Sequence, residues 1–122
     1  MDIKELRVGN LIRWISTGEI DTVKDIATAG RKNAAINNVN ISDCAGIELT
    51  DEWFYKLGFQ SYGHIYTLHF ESGFALSYNT SLKSWFLSIH STTTTAIRDF
   101  KYVHEIQKFY YAATGKDVVI RA

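Results

Sequence analysis

His104-Glu105-Ile106-Gln107-Lys108 opens like the zinc-protease helix in which two histidines one turn apart hold the metal beside a glutamate base. Lys108 stands where the second histidine belongs, so the stretch reads as a helix carrying an exposed histidine. His69 and His90 fall on one sheet face, but a metal needs a third ligand that the sequence does not place. No metal and no other cofactor is expected. Cys44 is the single cysteine, in a polar stretch with no histidine nearby, and the serines lack a nucleophile elbow. It reads as a small filler. Thr114-Gly115-Lys116 lacks the first glycine of a phosphate loop and follows its helix instead of opening one, which makes it a C-cap. Asp21 with Asp25, and Asp51 with Glu52, are carboxylate pairs. The first reads as a solvated strand edge, the second as acidic residues favoured at a helix start. Catalysis is not expected from these sets, and the chain reads as a non-enzyme.

Cationic side chains offer binding instead. Lys101, His104 and Lys108 fall on the solvent side of the expected last helix, Arg98 extends them, and Lys24, Arg31 and Lys32 add positive charge in the first half. Such a stripe grips phosphates or an acidic protein groove. Glu105 interrupts it, and a plain solvated helix face accounts for the same residues. Tyr62, Tyr111 and Phe86, where exposed, supply the kind of contact area that dominates interfaces; each can equally be core.

Those side chains need a scaffold, and composition allows one. The chain has 122 residues, 46% apolar and 14% aromatic, enough for one domain that buries roughly two-thirds of its unfolded surface. Its 13 basic and 13 acidic residues cancel, so no global field draws it to nucleic acid or an anionic membrane. The lone cysteine and the charged, signal-free opening favour the cytoplasm, and no apolar run approaches a membrane span. A monomer or small homo-oligomer is expected.

Leu49–Phe59 is the best specified local element. Thr50 is a good N-cap, Asp51 and Glu52 suit the positive end of the helix dipole, and Gly58 can end the helix in the left-handed conformation. Before it, strands are expected at Leu11–Ile15, Ile20–Ile26, Ala34–Ile36 and Val39–Ile41, the last two joined through Asn37-Asn38 in a tight turn. This suggests a small antiparallel unit, SH3-like by analogy. After it, Ile65–Phe70, Phe74–Tyr78 and Trp85–Ile89 predict a three-stranded meander. Period-two alternation places Tyr66, Leu68, Leu76, Tyr78, Trp85 and Leu87 on one face, and Thr67, His69, Ser77, Phe86 and Ser88 on the other. Ser91–Thr95 suits an edge or a loop. Tyr102–Thr114 is an amphipathic helix expected to cover the meander with Val103, Ile106, Tyr110 and Ala113, and Val118–Ile120 a short edge strand. The class is α+β.

Three blocks, ELRVGNLI, IELTDEWFYKLGF and YVHEIQKFYYAATGKDV, together resemble a family of small accessory proteins carried by phages and mobile elements. Its pattern is an L-x-x-GN opening, an LTEEWL-x-x-GF helix and a VHxLQxLYxALTGEEL tail. The blocks cover about a third of the chain in the right order, and the last is the most specific. The chain departs at Ile106, at Lys108-Phe109 and at Lys116-Asp117, changes that keep the helix but alter its surface charge. The resemblance carries over no catalytic residue. In size and style the chain also resembles an anti-CRISPR, the inhibitor of the type VI-B RNA-guided RNA nuclease. That resemblance implies stoichiometric binding to a host CRISPR effector nuclease or its guide-RNA complex. Two other classes stay open: an RNA-binding accessory protein using the basic stripe, and a hydrolase of defence nucleotides.

Overall fold

The computed structural model describes residues 1–28, 34–70, 73–89 and 93–122. The architecture is α+β, with antiparallel strands and a C-terminal helix. The chain forms two compact units, Met1–Glu48 with Tyr102–Phe109, and Leu49–Lys101 with Tyr110–Ala122.

In the first unit, β1 (Leu11–Trp14), β2 (Ile20–Thr22), β3 (Ile26–Ala27), β4 (Ala35–Ile36), β5 (Val39–Asn40) and β6 (Cys44–Ala45) make two three-stranded sheets, ordered β2-β1-β6 and β3-β4-β5. Asn37 and Asn38 both take positive φ, 52° and 65°, the conformation that a two-residue hairpin turn demands and that asparagine tolerates. The strand expected over Ile20–Ile26 is instead two strands, and one side chain is responsible. Asn37 accepts hydrogen bonds from the Lys24 and Asp25 N–H groups at 2.7 and 3.0 Å and donates to the Thr22 carbonyl at 2.8 Å. These bonds engage Lys24 and Asp25 in place of a strand ladder, while Val23 bonds the Gly9-Asn10 backbone at 2.8 Å. Cys44 is likewise in a strand, not a polar loop: it faces Trp14 across the ladder and is buried with Leu6, Ile12, Val23 and Ile36.

The second unit opens with α1 (Asp51–Lys56), where the Thr50 hydroxyl accepts from the Trp53 N–H and Gly58 takes φ 93°. A five-stranded antiparallel sheet follows: β7 (Gln60–Tyr62), β8 (Ile65–His69), β9 (Phe74–Asn79), β10 (Ser84–Ile89) and β11 (Thr93–Ile97), each next to its sequence neighbour. The meander thus gains an edge strand on each side. Register sets Tyr66 beside Tyr78 and Tyr78 beside Trp85, then Leu68, Leu76 and Leu87 in a second row, the face that alternation assigns. Phe54 of α1 stacks on Tyr66 at 4.3 Å between ring centroids, so a helix too short to persist alone is held by aromatic packing. On the opposite face Thr67 and Ser77 share a hydroxyl hydrogen bond of 3.0 Å.

The last helix, α2 (Val103–Thr114), contributes Val103–Phe109 to the first unit and Tyr110–Thr114 to the second. In the second, the Tyr110 ring meets Phe70 edge-on at 5.1 Å. Val118–Ile120 forms no strand. The Arg121 N–H beyond it donates to the Lys56 carbonyl at 2.7 Å, satisfying an end group of α1 instead of adding a rung to a sheet.

Candidate functional site

The predicted basic stripe loses one of its members. His104 is 1% exposed, a correction to its expected place on the solvent face, and the cause is a glycine on another segment. An ideal Cβ on Gly46 would lie 2.6 Å from the Tyr102 ring and 3.0 Å from His104 Cε1. Only a residue without Cβ allows this approach. Tyr102 and His104 stack there, 5.6 Å apart and 11° from parallel. Burial holds the His104 imidazole below its ordinary pKa, outweighing the opposing pull of Glu105 and Glu5. Neither ring nitrogen has a hydrogen-bond partner among the described residues, and Glu5 Oε2 stands 3.7 Å from Nε2.

Beside this ring, Glu5, Ile15, Cys44, Gly46 and Tyr102 line a cavity of about 390 Å³. Burial, reinforced by Asp43, pushes the Cys44 thiol up to about 11. At neutral pH the thiol is protonated and the imidazole neutral, neither poised as a thiolate nucleophile or its ion-pair partner. A lowered histidine pKa also fixes a pH dependence. The unfolded chain binds the proton more readily than the fold does, so stability rises with pH and is lost as pH falls below about 6.5. His104→Phe, which keeps a ring but cannot titrate, is expected to flatten this loss. Melting temperatures of both proteins between about pH 7.5 and 5 check it, and parallel curves would refute the assignment.

Lys108 is part of the first unit, where its Nζ donates to the Lys4 carbonyl at 3.1 Å. Lys24 is exposed in the same unit. Arg98, over the Phe100 ring at 5.1 Å, and Lys101 belong to the second. Arg31, Lys32 and His90 lie outside the described residues. No group of three or more metal-ligating side chains occurs among the described residues. His69 is exposed and, with Gln60, Tyr110 and Arg121, lines a cavity of about 280 Å³.

Gln107 has a role that residue type alone does not announce. It is 7% exposed; its Oε1 accepts from the Leu11 N–H at 2.8 Å and its Nε2 donates to the Gly9 carbonyl at 3.3 Å. Gly9 takes φ 99°, and the fully buried Asn10 accepts from the Arg7 N–H at 2.9 Å. The GN turn near the start and the glutamine of the last helix are therefore one hydrogen-bonded assembly. Its only forewarning is a polar residue beside the apolar position Ile106.

The clearest exposed cluster sits at one end of the five-stranded sheet. Tyr62 and Ile65 pair across the β7–β8 hairpin, whose turn is Gly63-His64 with Gly63 at φ 61°. Ile65 pairs in turn with Asn79, which caps the next turn by accepting from the Ser81 and Leu82 N–H groups at 3.0 Å. Thr80 ties the two turns together, donating its N–H and its hydroxyl to the His64 carbonyl at 2.8 and 3.0 Å. Tyr62, Ile65 and Leu82 are 59%, 37% and 68% exposed on this braced tip. Of the other aromatic candidates, Tyr111 is exposed, and Phe86 is half-buried on the face it shares with Ser77 and Ala96.

No helix among the described residues is long and apolar enough to cross a membrane. No protein-family model matches the chain, and no match is found among curated proteins or solved structures.

Proposed function

We propose that this is a non-enzymatic protein of a phage or mobile element that acts in the cytoplasm of a bacterial host. It inhibits a CRISPR RNA-guided nuclease, with the type VI-B RNA nuclease as the first candidate, by stoichiometric binding to the effector or its guide-RNA complex. The carrying observation is the braced tip of Tyr62, Ile65 and Leu82. Large apolar side chains held out by cross-bonded hairpins lose little freedom on docking, and tyrosine is enriched among residues that dominate binding energy. The residues shared with the phage family support the same division of labour. Gln107 is engaged with Gly9 and Leu11, and Asn10 with Arg7, which leaves partner contact to segments outside those blocks.

The test is capture of a type VI-B effector by the tagged protein, with and without guide RNA, followed by target-RNA cleavage. Capture with loss of cleavage is the expected result. Tyr62→Ala combined with Leu82→Asp should weaken capture by roughly 30-fold or more without altering the fold, since interface hot spots are worth about 2 kcal/mol or more. No capture under either condition refutes the inhibitor reading. Salt-sensitive binding of RNA alone would favour an RNA-binding accessory protein instead, and turnover of a defence nucleotide would make the chain an enzyme.

A further inference from the structure

β11 is the outermost strand of the five-stranded sheet, and among the described residues no strand covers its far side. Exposed sheet edges present a row of unpaired N–H and C=O groups, which proteins commonly blunt with lysine, proline, bulges or brevity. The residues at 93–97 read TTTAI, without charge or proline. The strand pairs with β10 over five consecutive positions with no bulge, from Trp85 opposite Ile97 to Ile89 opposite Thr93. Thr94, Thr95 and Ala96 are exposed. The opposite edge, β7, is only three residues long.

The occupant that fits this edge best is a second copy of the chain. Formal charge is 13 − 13 = 0, so two copies approach without net repulsion. With an antiparallel two-fold axis at Thr95, residue 93 of one copy stands opposite 97 of the other, 94 opposite 96, and Thr95 opposite Thr95. Every position of the strand is then paired, a threonine pair is a favourable cross-strand contact, and the symmetry closes the assembly at two. A foreign strand would find no charged residue in β11 to select it. We infer that β11 is a self-association edge through which two copies join their sheets into one continuous antiparallel sheet.

Sedimentation analysis of the whole chain across a wide concentration range tests this, together with Thr95→Lys and Thr95→Glu. The wild type is expected to form dimers. Each variant places like charges directly opposite at the axis and should weaken dimerisation about tenfold, with an unchanged circular-dichroism spectrum. Mixing the two variants should restore association, because lysine then faces glutamate. A wild type that stays monomeric overturns the proposal, as do dimers that survive in both variants or a mixture that fails to reassociate. A monomeric wild type whose capture of the effector is lost in Thr95→Lys would assign the edge to a foreign strand instead.

Discussion

Trp85→Ala is expected to cost the fold about 3–5 kcal/mol, the range for truncating a large buried aromatic residue. Trp85 is 2% exposed and lies within an aromatic cluster. Tyr78 is 4.8 Å away between ring centroids, Phe100 5.0 Å, Phe54 6.0 Å and Phe59 6.2 Å. The indole thus joins α1, the strand beside it and the segment after β11. Removing it deletes all four ring contacts at once and leaves a void in a close-packed core. Domains of this size have about 5–15 kcal/mol in all, so the loss is a large share of the total. Phe86→Ala, one residue along on the other face, is the control and should cost about 1 kcal/mol. Urea titration followed by far-ultraviolet circular dichroism measures both. Equal costs would mean that the two faces of β10 are not distinguished as described.

Gly46→Ala is the second large effect. The added methyl would stand 2.6 Å from two carbons of the Tyr102 ring, well inside van der Waals contact, so the ring must give up its stacking on the buried imidazole to make room. Overpacking of this kind costs about 1–3 kcal/mol. Glycine is not needed at position 46 for a left-handed backbone, since no positive φ occurs there; the whole effect should come from the collision. The diagnostic is therefore a double-mutant cycle with Tyr102→Ala. If the ring is what the methyl strikes, Gly46→Ala should cost far less when the ring is already gone. Additive losses in thermal melts would refute the collision. The same substitution should also lessen the acid sensitivity assigned to His104, because displacing Tyr102 lets water reach the imidazole and relieves the burial that lowers its pKa.

The features legible in the chain were those set by near neighbours. Thr50 capping α1, Gly58 ending it, and Asn37-Asn38 taking positive φ are all decided within four residues. The two faces of the meander follow from alternation, since strand geometry sends successive side chains to opposite sides whatever they meet there. What escaped local reading needed a partner remote in sequence. Gln107 bonds Leu11 and Gly9 across separations of 96 and 98 residues. Asn37 reaches back 12 and 13 residues to interrupt a strand that hydrophobic pattern alone would continue. His104 illustrates the difference most directly: its helical position and its type point to solvent, but a missing Cβ at Gly46 makes room for its ring indoors. Sequence by itself determined the α+β class, the caps, the turns and the two faces of the meander, because those depend on backbone stereochemistry and short-range periodicity. Tertiary structure alone decided which polar groups are buried and paired and which cations share a unit. Those outcomes depend on desolvation and contact between segments that only the fold brings together.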